Sequence, residues 1–204
     1  MTSSQPQNEL PSVLIVEDKR DLADLYAAWL SDSYAPETVY GGEKALKRLD
    51  ENIDVVLLDR RMPGVSGDEV LDHIRTEGYD IRVVIVSAVT PDFDVIEMGF
   101  DDYLVKPVDS EELQATVERM LARADYDDAM KEFEQMTATK AALEAGKSTA
   151  ELQENEAYRD LGERLETIRS KVDGVIGGFE KEDFEAAFRD LSPPVSSESG
   201  EENE

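Results

Sequence analysis

The sequence predicts an α/β fold: a doubly wound parallel sheet followed by a purely helical unit. Three observations carry this. Short apolar runs alternate with stretches of helical period from Ser12 to about Arg123, strand-like runs cease beyond that point, and four of the apolar runs end directly on a polar group.

The first strand is Val13-Leu14-Ile15-Val16, and Leu22, Leu25, Tyr26 and Trp29 then recur at helical spacing to give an amphipathic helix ending near Ser31. A weak strand is expected at Thr38–Tyr40. Gly41-Gly42 opens a helix carrying Ala45, Leu46 and Leu49, and Val55-Val56-Leu57-Leu58 reads as a strand buried on both faces. Val70, Leu71 and Ile74 mark the next helix, and Val83-Val84-Ile85-Val86 the fourth strand. A short helix holding Val95, Ile96 and Met98 is ended by Gly99. Tyr103-Leu104-Val105 forms the last strand. The closing helix starts near Asp109, whose carboxylate can cap it, and buries Leu113, Val117, Met120 and Leu121.

Past Arg123 the residues Ala129, Phe133, Met136, Lys140 and Leu143 step by fours and threes along one stretch. Leu161, Leu165, Ile168, Val172, Val175 and Phe179 do so along a second. Gly146 separates the two, so the simplest arrangement is an antiparallel helical hairpin turning at residues 146–148; neither helix has a face wide enough to be stable alone. Phe184, Ala187, Phe188 and Leu191 suit a third short helix. The expected organisation is therefore a disordered N-terminus (1–11), the α/β domain (12–123), a helical output unit (124–191) and a disordered acidic tail (192–204), whose Pro, Ser, Gly and Glu content supports no core.

Composition bounds the function. Against 21 Lys and Arg stand 48 Asp and Glu, a formal net charge of -27, which repels nucleic acid and acidic membranes. The acidic residues run through the whole chain and coexist with clear apolar periodicity. That pattern favours a protein at home in molar salt, where a Debye length of about 3 Å suppresses self-repulsion. The absence of Cys excludes disulfides, thiolate chemistry and Cys-rich zinc sites. His73 is the only histidine, lacks partners suited to proton transfer or metal binding, and is assigned no role. The first eleven residues do not read as a signal peptide and no stretch approaches the ~20 apolar residues of a membrane span, so a cytoplasmic location without membrane association is expected.

In a parallel sheet every strand delivers the residues after it to one edge. Glu17-Asp18 follow the first strand, Asp59 the third, Ser87-Ala88 the fourth and Lys106-Pro107 the fifth. Three carboxylates brought together repel one another unless a divalent cation lies among them, and so few hard oxygen ligands suit Mg2+. Beside Mg2+ and an ammonium group, Asp59 stays ionised and can act as a nucleophile towards phosphorus. Lys106 would offer a mobile charge to a phosphoryl oxygen, and the Ser87 hydroxyl a hydrogen bond to another.

These motifs resemble the response-regulator receiver domain, of flavodoxin-like fold, over Val13–Arg123. The match comprises Glu17-Asp18, Asp59 with Met62-Pro63-Gly64-Val65-Ser66-Gly67 after it, Ser87-Ala88, and Asp101-Asp102-Tyr103-Leu104-Val105-Lys106-Pro107. The resemblance implies a two-component response regulator. Asp59 would be the phosphoacceptor, served by a sensor histidine kinase. Glu17, Asp18, Asp59 and the backbone carbonyl of Arg61 would be Mg2+ ligands, Ser87 and Tyr103 a switch pair, and Lys106 a phosphate contact, with a cis peptide before Pro107. It also implies a signalling protein that catalyses only its own phosphorylation and dephosphorylation, not a turnover enzyme. Arg61 departs from the family in bulk and charge at a position that influences phosphoryl lifetime. The stretch Ala88–Phe100 holds no Lys or Arg, where winged-helix members use a basic residue to dimerise, which argues against that mode of pairing.

Residues 126–191 resemble the HalX domain, a helical module attached to receivers in haloarchaea, on helical pattern rather than any chemical motif. With nine Lys and Arg against seventeen Asp and Glu and no basic helix face, this part is expected to act on a downstream protein partner rather than as a DNA-reading element. Homodimerisation stays open, and DNA binding is the alternative output. A phosphatase of the haloacid-dehalogenase type would need a second Asp where Arg61 stands, and a structural coiled-coil protein with a degenerate receiver would not retain all the site residues.

Overall fold

The structure, a computed structural model, describes residues 10–91 and 98–172. Five parallel strands, β1 (Ser12–Val16), β2 (Ala35–Val39), β3 (Val55–Leu58), β4 (Arg82–Ser87) and β5 (Asp102–Val105), form one sheet in the order β2-β1-β3-β4-β5. The chain therefore starts near the middle of the sheet, steps to one edge, and returns across β1 to build the other side. The reversal of direction falls between β1 and β3, and this is where such sheets open a crevice at their carboxyl ends.

Alternation along each strand feeds two apolar layers. Leu14, Val16, Val56, Leu58, Val83 and Ile85 face one side, where α2 (Gly42–Arg48) and α3 (Gly67–Glu77) supply Ala45, Val70, Leu71 and Ile74, joined by Leu49 directly after α2. Val13, Ile15, Val55, Leu57, Val84 and Val86 face the other. There α1 (Arg20–Leu30) supplies Ala23, Tyr26 and Leu30, and α4 (Ser110–Gly146) supplies Leu113, Val117 and Met120. Each Val, Leu, Ile or Met among them is worth about 1.5–3 kcal/mol when fully buried, so the two layers dominate the stability of the sheet.

Local signals set the helix ends. Ser66 and Glu69 form a reciprocal capping box at the start of α3, and Gly78, at φ 75°, closes it in the left-handed conformation. Asp109 caps α4 through a 2.9 Å bond from the Glu112 N–H. β2 begins three residues before the expected Thr38. Its apolar content is poor because only one neighbour, β1, covers it, and its residues alternate between exposed and partly buried until Val39.

The backbone divides into two compact units between Ala124 and Asp125. In the second, Ala129, Ile168 and Val172 are buried, with Tyr126, Met130, Phe133 and Met136 packed against them. An Arg164–Glu132 ion pair at 2.7 Å and a Tyr158–Glu144 hydrogen bond at 2.6 Å tie the two helical stretches together. The hairpin turn is broader than the sequence reading places it. α4 ends at Gly146, but a second capping box, Ser148 with Glu151, starts the short α5 (Thr149–Glu154). Only at Asn155, whose side-chain oxygen accepts from the Tyr158 N–H at 3.1 Å, does the returning helical stretch 156–172 begin. The readings for Val95 and Ile96, Val175 and Phe179, the helix at Phe184–Leu191, residues 1–9 and the tail 192–204 lie outside the described residues.

Candidate phosphoacceptor site

The register explains why the strand-end residues meet. Val16 lies opposite Leu58 and Leu58 opposite Ile85, so β1 and β3 expire level with one another and hand Glu17 and Asp59 to the same edge. The Asp59 N–H bonds to the Val16 carbonyl at 2.8 Å and the Glu17 N–H to that of Val39 at 3.2 Å, extending the ladder by one residue before the chain turns. One carboxylate oxygen from each of Glu17, Asp18 and Asp59 lies within 4.8 Å of the others. Glu17 and Asp59 are buried and Asp18 is partly exposed.

Lys106 reaches into this cluster from the end of β5. Its ammonium donates to Glu17 Oε2 at 2.5 Å and lies 3.4 Å from Asp59 Oδ1. Burial pushes the Glu17 carboxyl above the usual carboxylate range; the hydrogen bond from Lys106 opposes this and the neighbouring Asp59 charge adds to it. One ammonium facing three carboxylates leaves net negative charge in a partly desolvated crevice. The all-oxygen donor set and its tight spacing fit a small hard dication such as Mg2+. The peptide joining Lys106 to Pro107 is cis, as expected, and the Lys106 N–H bonds the Ser87 carbonyl at 2.8 Å.

Among the described residues the Ser87 and Tyr103 hydroxyls make no hydrogen bond to the acid cluster; both engage Val89. The Ser87 hydroxyl accepts the Val89 N–H at 3.2 Å, and the Tyr103 hydroxyl donates to the Val89 carbonyl at 2.5 Å. The Tyr103 ring meets Phe100 edge-on, with centroids 5.7 Å apart, and packs on the apolar layer shared with α3. The Arg61 side chain is exposed, while its N–H approaches Asp59 Oδ1 at 3.4 Å. His73 is half-buried on α3, away from this edge.

Several residues that shape the site escape the sequence reading. Arg60 folds back onto Asp68 with bonds of 3.0 and 3.4 Å, pinning the loop after Asp59 to the start of α3. A Cβ on Gly67 would lie 2.3 Å from the Asp59 carbonyl oxygen, and one on Gly42 would lie 2.3 Å from that of Val65. α3 and α2 can therefore close on the loop only because those two residues lack side chains. Arg75 of α3 bonds the carbonyls of Gly99 and Ile81 and the Asp101 carboxylate, at 2.7, 2.8 and 2.7 Å. Asp101 also accepts from Arg82 and from the Val83 N–H. This first Asp of the Asp101-Asp102-Tyr103 motif is thus a structural clamp. The glycines and the Ser66-x-x-Glu69 cap carry a readable signal; nothing in one sequence says which arginine meets Asp101.

A five-stranded parallel sheet of this order with an acidic crevice, a strand-end Lys and a buried strand-end Asp defines a receiver. The chain belongs to the response-regulator receiver domain family, which matches residues 13–118, and the HalX domain family matches residues 122–188. A Haloferax volcanii protein that carries the name of a transcriptional regulator is 49% identical over 165 residues, covering 80% of this chain but 28% of that protein. The sensory transduction protein RegX3 of Mycolicibacterium smegmatis is 40% identical over 126 residues, covering 59% of this chain and 55% of its own. The chain therefore spans between about a quarter and just over half of these relatives' lengths. Among solved structures, the Thermotoga maritima response regulator TrrA in complex with Mg2+-BeF is 31% identical, with TM-score 0.51, covering 55% of this chain and all of that one. The beryllofluoride-activated DrrB receiver domain is 28% identical, with TM-score 0.51, covering 55% of this chain and 97% of its own.

Proposed function

We propose that this chain is the phosphorylatable switch of a two-component system, accepting a phosphoryl group from a sensor histidine kinase on Asp59. The observation that carries the reading is the convergence of Glu17, Asp18, Asp59 and Lys106 on one sheet edge, with Lys106 bridging the two buried carboxylates. Phosphoryl transfer asks chiefly for positioning and charge neutralisation, and this arrangement offers both. The related TrrA structure, with Mg2+-BeF bound, supports the same use of the crevice here.

An Asp59 oxygen attacks phosphorus, the phosphorus–nitrogen bond of the donor phosphohistidine breaks, and the imidazole departs with its electron pair and takes up a proton. The product is an acyl phosphate. Glu17, Asp18 and Asp59, with the Arg61 carbonyl, would hold Mg2+, which supplies positive charge against the phosphoryl oxygens. Lys106 is within reach of Asp59 and turns from Glu17 to a phosphoryl oxygen. The Ser87 hydroxyl, swinging to a second phosphoryl oxygen, releases the Val89 N–H, and the strain passes to the Val89 carbonyl that Tyr103 holds. Water later cleaves the acyl phosphate, so the chain is a self-limited switch and not a turnover enzyme. Arg61, exposed beside Asp59, alters the lifetime of that state.

The helical part from Tyr126 onward is the output unit. Its excess of Asp and Glu favours a protein partner over DNA; the regulator name of the Haloferax relative is the observation that keeps DNA binding as the second reading. Among the described residues no helix is long and apolar enough to cross a membrane, in keeping with action in the cytoplasm. The test is incubation of the full chain with Mg2+ and acetyl phosphate. One hydroxylamine-labile phosphoryl group is expected, lost in Asp59→Asn; equal labelling of that variant would overturn the assignment. Mass measurement and DNA capture with and without beryllofluoride then separate the two outputs.

A further inference from the structure

Asp59 is buried at the end of β3, but the chain that leaves it is a loop, and that loop must be held if the carboxylate is to keep its place in the acid cluster. Two contacts set the rotation of the carboxylate, and both fall on Oδ1: the Lys106 ammonium and the Arg61 N–H, each at 3.4 Å. The second depends on the loop. The Arg61 N–H and the Arg60 carbonyl are the two ends of one planar peptide group. The carbonyl end accepts the Gly67 N–H at 3.0 Å, which aims the other end at Asp59. The Arg60 guanidinium then grips Asp68 as a fork, with Nε 3.0 and 3.4 Å from the two carboxylate oxygens and Nη2 3.4 Å from Oδ2. Gly67 and Asp68 open α3, so the first turn of that helix holds Arg60 by backbone and side chain together.

The ion pair is poorly placed to add stability. The Asp68 side chain is 46% exposed against 11% for Arg60, and a pair with one partner open to solvent contributes little. What a forked guanidinium supplies is direction. Asp68 is a firm anchor for it, because negative charge in the first turn of a helix is favoured. Arg60, Arg61 and Asp68 also share the wall of one recess with Asp18, the partly exposed member of the acid cluster. Resting on the phosphoacceptor reading, we propose that Arg60 and Asp68 are positioning residues for the divalent cation. The pair holds the Arg60–Arg61 peptide, and through it the Asp59 carboxylate, in the cation-binding arrangement; neither side chain is itself a ligand.

The test titrates Mg2+ into the full chain by calorimetry and follows labelling by acetyl phosphate across Mg2+ concentrations. Asp68→Asn and Arg60→Gln are each expected to weaken Mg2+ binding about three- to tenfold, less than the roughly 10–100-fold lost with a direct partner of a metal ligand. The sign separates positioning from plain electrostatics. Through space, losing the Asp68 charge would weaken cation binding, whereas losing the Arg60 charge would strengthen it. Labelling of both variants should be slow at limiting Mg2+ and recover at saturating Mg2+. Without Mg2+, the thermal midpoint of Asp68→Asn should stay within about 3 °C of the unsubstituted protein. Tighter Mg2+ binding by Arg60→Gln would overturn the proposal, as would unchanged Mg2+ affinity in both variants. A larger fall in the Asp68→Asn midpoint would also overturn it, by giving the pair a packing role only. If the unsubstituted chain labels normally, any of these results removes the positioning role alone; if it takes up no phosphoryl group, the phosphoacceptor reading itself fails.

Discussion

Tyr103 donates its hydroxyl to the carbonyl of Val89 at 2.5 Å, fourteen residues back along the chain, while the N–H of that same Val89 is spoken for by the Ser87 side chain. One peptide segment is therefore held from both ends by the two hydroxyl residues that frame the proposed switch.

Because they share Val89, Ser87 and Tyr103 should not act independently. Ser87→Ala and Tyr103→Phe each remove one hydroxyl. In a double-mutant cycle on beryllofluoride affinity, their effects are expected to be non-additive by about 0.5–1 kcal/mol or more, whereas additivity would mean that Val89 transmits nothing between them.

Lys106→Met leaves Glu17 buried beside Asp59 without its ammonium. Removing one partner of a buried pair costs about 3 kcal/mol, so the urea midpoint at pH 7 should fall sharply. Added Mg2+ should restore part of the loss, since a cation among the three carboxylates replaces the missing charge. An unchanged midpoint would show that Glu17 is not dependent on Lys106.

Gly67→Ala drives a Cβ to within 2.3 Å of the Asp59 carbonyl oxygen and 2.8 Å of Arg60 Cα. Backbone cannot yield as a flexible side chain does, so about 2 kcal/mol of destabilisation is expected, together with slower labelling by acetyl phosphate as the Asp59 loop shifts. Denaturation and labelling curves on the one variant check both.

Alkaline stability carries the signature of Tyr26. Burial pushes its pKa up from the ordinary phenol value of 10.0 to about 12. The neutral phenol therefore favours the folded state fully below pH 10, and that contribution is lost as pH climbs from 10 through 12. The difference in stability between the unsubstituted protein and Tyr26→Phe should be flat below pH 10 and should narrow or change in favour of Phe above it. A difference that stays constant across that window would remove the shift.

Most of the receiver was legible because its strands are buried on both faces and so appear as uninterrupted Val, Leu and Ile runs, with each polar successor marked by contrast. β2 was placed late, since Pro36 and Glu37 interrupt its apolar content and an edge strand needs little of it. The hairpin turn is wider than its expected span of residues 146–148, because the Ser148-x-x-Glu151 box at the end of that span starts another short helix. Arg75 with Asp101, and Arg60 with Asp68, were beyond reach for a different reason. They depend on which residues of different elements come to face each other, and one sequence reports only the spacing within an element.

Both borders of the sheet are poorly suited to accept a foreign strand. At β2, Pro36 offers no amide hydrogen and the Glu37–Arg48 ion pair at 2.6 Å keeps charge over the flank; β5 is only four residues long, and Pro107, two residues after it, has no amide hydrogen to offer. Such margins discourage fibril-like stacking of one copy on the next, so crowded copies of this protein meet without their sheets growing into one another.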